Sequence, residues 1–485
     1  MNSIKKNLLY NILYQVLLVI LPLITAPYIS RTLGADAIGV YSYTYSIVYY
    51  FMIVAMLGIS NHGNRSVASV RGNQEKLNVT FTSIYVIQLI THSIAIVIYI
   101  IYSGLLLSEL RWILLLQIIY LFSGLFDVSW LFFGLEEFKL TVVRNVIIKI
   151  GTIVLIFIFV HSPGDLWKYT LIMSIGTLFS QIYLWVYVRK YVRFCKIKGS
   201  DIYHNIKPII ILFVPVLAYS VYKVMDKIML GNMSTFVQVG YYQNAEKIIN
   251  IPMGIITALG TVMLPRMANM MASGEQAKSK DYIRISIKFV TILTAGIAFG
   301  LMGVSDNFAP VFYGNEFLAC GPIIFLLSFT VFFIGWANVV RTQYLIPQHK
   351  DKIYVTSTMI GAIVNLAINL LLIPKFAAAG AAIGTIVAEA TVFVVQMLYI
   401  RKDLPVLKYI CKDFPVILFG LSMMSIVRFI GSKVAKLGTA LIVQVGVGVL
   451  VYILLIVLYW IATKDELGKL FFSNMWKSSK RKTIL

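Results

Sequence analysis

Cysteine is nearly missing from this chain. Cys195, Cys320 and Cys411 stand far apart in unrelated surroundings among 485 residues, so neither a disulfide framework nor a thiolate metal cluster is expected. The histidines, His62, His92, His161, His204 and His349, are just as scattered, and no HisGluxxHis pair occurs. Phosphate-cradling P-loops and Gly-rich dinucleotide motifs are absent too. With no nucleotide-hydrolysing domain, ATP does not drive this chain directly, and no cofactor is expected. Energy is left to ion gradients, membrane potential or consumption of substrate on the far side. Charge is scarce, at 13% of residues, and acidic side chains are scarcer still: 20 Asp and Glu against 42 Lys and Arg, for a net +22.

What fills the chain is apolar: 59% of residues are hydrophobic and the mean hydropathy is +0.84. That composition predicts an all-α polytopic membrane protein. In a soluble protein the positive charge would suggest nucleic acid; here the positive-inside rule explains it, and no nucleic-acid partner is expected. The apolar run after Lys5 and Lys6 is too long for a leader and lacks a small-residue cleavage site, so it reads as the first helix. Apolar windows place fourteen spans near 8–29, 38–59, 80–102, 113–133, 140–160, 168–188, 208–230, 236–262, 285–303, 319–340, 353–373, 379–399, 413–430 and 439–462. The connecting loops alternate. One set is basic, for example Arg189, Lys190, Arg193, Lys196 and Lys198, or Arg401, Lys402, Lys408 and Lys412, and the tail adds Lys477, Lys480, Arg481 and Lys482. The other set is almost bare. This asymmetry predicts both termini in the cytoplasm. The bare loops are short, the longest lying around Ser305 to Leu318, so none can house a catalytic domain; that disfavours a membrane polymerase.

The chain repeats itself. Leu21–Pro22, Arg31, Leu33–Gly34 and Gly39–Tyr41 return as Val214–Pro215, Lys227, Leu230–Gly231 and Gly240–Tyr242. Arg65 and Arg266 each end the second helix of their half. The stretches Trp130–Lys139 and Tyr344–Lys352 each close a fourth helix. Six helices separate each pair, an even number, which predicts two six-helix lobes related by a parallel pseudo-two-fold, plus two trailing helices. The expected divisions are 1–205, 206–402 and 403–485.

Ionisable residues inside spans mark function or pairing. Most fall in the seventh and eighth helices: Lys223, Asp226, Lys227, Glu246 and Lys247. The i, i+3, i+4 spacing of the first three puts them on one face. They form either a cationic lining for an anionic substrate or a structural ion pair with a snorkelling lysine. Helices seven and eight together line a cavity, or their polar groups serve as interhelical glue. Asp127 is a proton or cation site, or else it caps a helix or pairs with Arg144. Lys149 faces a pore from mid-helix. Glu389 sits in a small-residue helix that packs closely through Gly380 and Gly384. Pro22, Pro27 and Pro215, at matching places in the halves, are hinges or static bends.

Three stretches, LPLITAPYISRTLGADAIGVYSY from Leu21, WLFFGLEEF from Trp130, and DKIMLG from Asp226 followed by VGYYQNAEKI, resemble the polysaccharide transporter family. This family holds the O-antigen and capsule repeat-unit flippases of the multidrug/oligosaccharidyl-lipid/polysaccharide superfamily. The resemblance implies a cationic V-shaped cavity accepting a polyprenyl-pyrophosphate-linked oligosaccharide. It carries that role onto Arg31, Lys223, Lys227 and Lys247, with Arg65 and Arg266 at the cytoplasmic mouth. Asp226 would hold the lysines, with Glu246 and Asp127 balancing charge or coupling an ion. Sugars would meet Tyr41, Tyr43, Tyr45, Tyr219, Tyr222, Tyr241 and Tyr242. The implied setting is the bacterial cytoplasmic membrane, with the lipid bilayer, a polysaccharide polymerase and export machinery as partners. A cation-coupled drug antiporter and a peptidoglycan lipid-precursor flippase remain the alternatives.

The loop charges make a direct prediction. Single cysteines replacing Lys198, Lys278 and Lys408 should react with an impermeant reagent from the cytoplasmic side, and those replacing Gly164, Asn232 and Asn315 from outside. Lys198 and Asn232 on one side of the membrane would refute the fourteen-span reading.

Overall fold

Helices account for nearly all of the described backbone, as a chain must when no water is present to satisfy its peptide groups. The computed structural model describes residues 2–105, 108–465 and 467–469. Side chains are described from Leu21 onward, except at 108, 109, 219 and 222. Lys5, Lys6, Tyr219, Tyr222 and the tail cations Lys477, Lys480, Arg481 and Lys482 therefore lie outside the described side chains. No strand occurs among the described residues.

In chain order the helices are α1 (Asn2–Met56), α2 (Ile59–Val70), α3 (Gln74–Leu105), α4 (Ser108–Ser123), α5 (Ser129–Gly134), α6 (Phe138–Phe159), α7 (Leu166–Tyr191) and α8 (Gly199–Met233). They continue as α9 (Phe236–Ala272), α10 (Gln276–Tyr313), α11 (Cys320–Ser328), α12 (Thr330–Val340), α13 (Asp351–Ile400), α14 (Val406–Lys412), α15 (Phe414–Lys433) and α16 (Leu437–Thr463). Among the described residues, twelve helical stretches are long and apolar enough to cross a membrane. The two longest, Leu21–Val70 and Asp351–Ile400, have 50 residues each. At 1.5 Å per residue that is about 75 Å, more than twice the hydrocarbon thickness. Gly34 (φ 78°, ψ 175°) breaks the first, which turns again at Leu57 (φ 48°) and Gly58 between α1 and α2, and Ala377 (φ 47°, ψ −125°) breaks the second. Counting each as two crossings gives the fourteen expected from hydropathy. Gly34 adopts its left-handed φ without a Cβ penalty, whereas Ala377 bears one.

The chain forms two compact units, Met1–Gln243 and Asn244–Leu485. The same local device closes the fourth crossing of each half. In the first unit the Glu137 N–H donates to Phe132 O (2.9 Å) and Glu136 N–H to Phe133 O (3.1 Å), with Glu136 at φ 63°. In the second, Lys350 N–H donates to Leu345 O (2.9 Å) and His349 N–H to Ile346 O (3.0 Å), with His349 at φ 55°. Both are Schellman caps, each carrying a non-glycine residue in the left-handed position. The match falls where WLFFGLEEF and YLIPQHKDK align in the sequence.

Within the first unit, α8 and the start of α9 lie against α1 at near-backbone contact. A Cβ on Gly39 would stand 1.7 Å from Phe236 O, and one on Gly240 would stand 2.1 Å from Ala35 O. One on Gly231 would enter the Tyr43 ring at 2.2 Å. Small residues permit such approach, which is how membrane helices associate without a hydrophobic driving force. Within the second unit, the two halves of α13 close on each other in the same way: Gly384 faces Asn369 Oδ1 at 2.0 Å and Gly380 faces Leu372 O at 2.4 Å, by the same measure. That is the close packing its small-residue pattern anticipates, and Glu389 is buried beside it.

Replacing Gly39 or Gly240 by Ala should cost about 1–3 kcal/mol through overpacking, although Ala is favoured within a helix by about 0.5–1 kcal/mol. Gly151→Ala, where a Cβ meets nothing within 4 Å, should be neutral or slightly stabilising. Melting temperatures in detergent check this; equal values for Gly39→Ala and Gly151→Ala would contradict the close approach.

Candidate functional site

α8 carries Lys223, Asp226 and Lys227 along one stripe, as their spacing requires. The lysines are half-buried and Asp226 is only 3% exposed. The structure adds a partner that the spacing did not reveal. Tyr242, on the part of α9 that belongs to the first unit, donates its hydroxyl hydrogen to Asp226 Oδ2 at 2.7 Å. The tyrosine is buried, so the carboxylate is oriented from a second helix. The glycine contacts described above bring α9 close enough for this. Two further hydrogen bonds fix α8 on α1: Tyr43 to Asn232 Oδ1 (2.7 Å) and Tyr50 to Ser220 O (3.0 Å).

On the face of α1 turned away from Tyr43 and Tyr50, the first unit holds a ladder of tyrosines. Tyr41, Tyr45 and Tyr49 follow one another at i, i+4 spacing on α1 and stack at 5.8 and 6.0 Å. Tyr169 of α7 meets Tyr41 edge-on at 4.8 Å, and Tyr120 of α4 lies 5.1 Å from Tyr45 and accepts its hydroxyl hydrogen at 3.3 Å. Tyr41 and Tyr45 were legible as candidate sugar contacts. Tyr120 and Tyr169 carry no such mark in the sequence, whereas the i+8 position of Tyr49 places it on the same face as Tyr41.

The remaining candidates are distributed. Arg31 is exposed on α1 three residues before Gly34, and Arg65 is exposed on α2. Arg266, at the end of α9 in the second unit, donates to the Tyr282 hydroxyl and lies over its ring at 4.2 Å. Glu246 and Lys247 are half-buried on the part of α9 that belongs to the second unit. Asp127 stands between the 3₁₀ turn Gly124–Phe126 and α5, where its Oδ1 accepts the Ser129 N–H at 2.9 Å. It therefore acts as a local cap. Arg144 donates to Ser129 Oγ and Gln181 Oε1, both at 3.1 Å. The break in the fourth crossing is bridged by Gln88, whose Nε2 donates to the Gly124 and Asp127 carbonyls while its Oε1 accepts the Trp130 indole. Pro22 lies inside α1 and Pro215 inside α8. No group of metal-ligating residues occurs among the described residues.

If Tyr242 orients Asp226, Tyr242→Phe should lower stability by about 1.5–3 kcal/mol, the range for a hydrogen bond to a charged group. Adding Asp226→Asn should recover part of this loss, because the buried carboxylate that has lost its hydroxyl donor is then neutral. A thermal-stability double-mutant cycle measures the coupling; additive losses would break the link.

Comparison with known proteins follows the same lines. The curated "Putative O-antigen transporter" of Shigella dysenteriae is 25% identical over 395 residues, covering 80% of this chain and 98% of that protein. Among solved structures, the lipid II flippase MurJ in an inward closed conformation superposes with a TM-score of 0.79 at 15% identity, covering 94% of this chain and all of that one. An inward-facing multidrug resistance MATE transporter of the MOP superfamily gives 0.56 at 14% identity, covering 79% of this chain and 98% of that one. These last two likenesses establish the fold. The profile of the family described as "Polysaccharide biosynthesis protein" matches residues 4–271, more than half of the sequence, and the chain is a member of that family.

Proposed function

We propose that this membrane protein is a flippase. It carries a polyprenyl-pyrophosphate-linked oligosaccharide repeat unit from the cytoplasmic to the outer leaflet for assembly of O-antigen, capsule or exopolysaccharide. The observation that carries this reading is the charged stripe of α8, two lysines around an oriented Asp226, in a chain whose family and fold are those of lipid-linked glycan handling. A pyrophosphate cannot cross bare hydrocarbon, and half-buried ammonium groups replace part of its hydration shell. The tyrosine ladder offers sugars aromatic faces and hydroxyls, while the polyprenyl tail stays in lipid. Arg31 and Lys247 extend the cationic lining, and Arg65 and Arg266 receive the headgroup at the cytoplasmic mouth. Glu246 and Asp127 balance charge or couple an ion. The lobes 1–205 and 206–402 rock around this cavity with Pro22 and Pro215 as hinges, and 403–485 forms the trailing pair and tail. The setting is the bacterial cytoplasmic membrane, with both termini inside, and the flipped unit passes to a polymerase. The drug-antiporter alternative calls for carboxylates without net positive charge at the cavity. It is disfavoured by the sign of this stripe and by the lower structural similarity to the MATE transporter.

Lys227→Ala should abolish flipping of a fluorescent polyprenyl-linked substrate at normal protein abundance, and Lys227→Arg should keep part of it, since charge survives with altered donor geometry. Asp226→Asn should bind substrate yet cycle slowly, because an over-cationic site releases its anion reluctantly. If the residues form only a structural pair, loss of either partner lowers abundance instead, and Lys223→Met with Asp226→Leu restores abundance and flipping together. Full flipping by a well-expressed Lys223→Ala, Lys227→Ala variant would end the proposal.

A further inference from the structure

Away from the α8 stripe, the second unit contains a buried cluster that the transport reading does not use. Lys288 of α10 lies between two carboxylates. One is Asp465, just past the end of α16, which it contacts directly; the other is Asp413, between α14 and α15, at 3.6 Å. All three side chains are at least four-fifths buried, Asp413 most of all at 5% exposure. Asp465 is rigidly held. A Schellman cap, with Lys464 at φ 51°, ties its N–H to Trp460 O at 3.2 Å, and its Oδ1 accepts the Leu467 N–H at 2.9 Å. Asp413 is different. Among the described residues its Oδ1 has no hydrogen-bond donor, although it is sealed from solvent. It sits at the N-terminal end of α15, a place that favours a carboxylate, yet no helix N–H reaches its side chain.

Counting charges gives one ammonium against two carboxylates. Among the described residues, the other groups facing the cluster are Tyr459 of α16, whose ring lies 5.9 Å from Lys288 Nζ, and Lys412, whose side chain is exposed. A buried net charge of −1 with an unsatisfied oxygen is costly. A one-to-one pair of Lys288 with Asp465 would hold the helices without it. Burial pushes the Asp413 carboxyl above its ordinary range, the Lys288 ammonium pulls it down, and the Asp465 charge adds to the rise.

We propose that Asp413 is a proton-binding site, which takes up one proton on Oδ1 and brings the cluster from −1 to neutral, with Lys288 left to Asp465. The proton comes from water at the exposed Cys411 and Lys412, two and one residues before Asp413. A metal ion is a poor alternative occupant. The ammonium 3.6 Å from Asp413 repels a second cation, whereas protonation simply removes the surplus charge. Because Lys288 is shared by α10 and the junctions of α15 and α16, the proton sets how tightly the trailing pair is tied to α10. The site is independent of which substrate the chain carries.

The sign follows from linkage. A carboxyl raised in the folded state binds its proton more tightly when folded, so it adds stability on acidification and loses that stability as pH rises through the folded value. Purified full-length protein, melted across a pH series from about 4 to 8 spanning carboxylate titration, should gain stability towards the acid end relative to Asp413→Asn. The variant should be the more stable of the two at neutral pH, and its curve should lack that acid gain. Asp465→Asn leaves Lys288 to Asp413 alone, so it too should remove the acid gain while lowering neutral-pH stability. Infrared difference spectra should show a protonated carboxyl C=O band in the wild type that Asp413→Asn lacks. Parallel pH slopes for wild type and Asp413→Asn, or an absent band, would overturn the assignment. Stabilisation by sodium chloride at fixed pH that Asp413→Asn abolishes, and that choline chloride does not reproduce, would assign the site to a metal cation instead.

Discussion

The first unit depends on a backbone-to-backbone contact. Gly39 meets the carbonyl of Phe236, and Gly240 meets that of Ala35, at distances that leave no room for a methyl group. In hydrocarbon, apolar side chains gain little by leaving lipid for one another, so intimacy of packing has to supply the attraction. Here it does so at the place where the charge is. Seating α9 on α1 puts the Tyr242 hydroxyl against Asp226, and orienting Asp226 sets the environment of two lysines on α8. A sequence without those glycines would keep its hydropathy profile and lose the geometry of the stripe.

The spans were legible because the hydrocarbon thickness imposes a length that a sliding window can find. All fourteen windows correspond to helical segments, and the two places where helices run on without a loop, Gly34 and Ala377, still mark the turns between crossings. The repeat was legible for a related reason. Capping geometry recurs with its residues, so WLFFGLEEF and YLIPQHKDK both close a helix through a left-handed residue, Glu136 and His349. Other features could not be read. Spacing along one helix shows that Lys223, Asp226 and Lys227 share a face; it cannot show that Tyr242, sixteen residues on, reaches back to the carboxylate. Nor does pattern reveal the meeting of Lys288, Asp413 and Asp465, which stand 125 and 52 residues apart, the lysine within α10 and the two acids at helix ends that look like ordinary basic loops.

Asp127 shows where residue type alone leaves two roles open. An acid in the middle of an apolar crossing suggests ion coupling. In place, it caps a six-residue helix, α5, just after the 3₁₀ turn that interrupts the fourth crossing. Gln88 and Trp130 satisfy the carbonyls and side-chain groups that the interruption exposes. A broken membrane helix creates a demand for polar side chains whatever the protein transports, so polarity beside a break carries less functional information than polarity on an unbroken stripe. The α8 stripe is of the second kind. Its backbone runs on through Lys223 and Lys227 with Pro215 as its nearest irregularity, and the charges there have no capping duty to explain them.

The same distinction applies to the trailing helices. They are pinned to α10 at several heights by ordinary means: Tyr452 donates to Ile292 O (2.6 Å), Asn307 to Gln444 Oε1 (3.0 Å), and Arg428 to Asp306 (3.1 Å). These contacts satisfy polar groups and leave little for a further ion cluster to add in static strength. The Lys288 cluster also carries one carboxylate more than its ammonium can neutralise, so static strength would improve if Asp413 were an amide. A buried group that costs stability where a neutral isostere would not calls for a role in which its charge changes, and proton exchange is the simplest one open to a carboxylate.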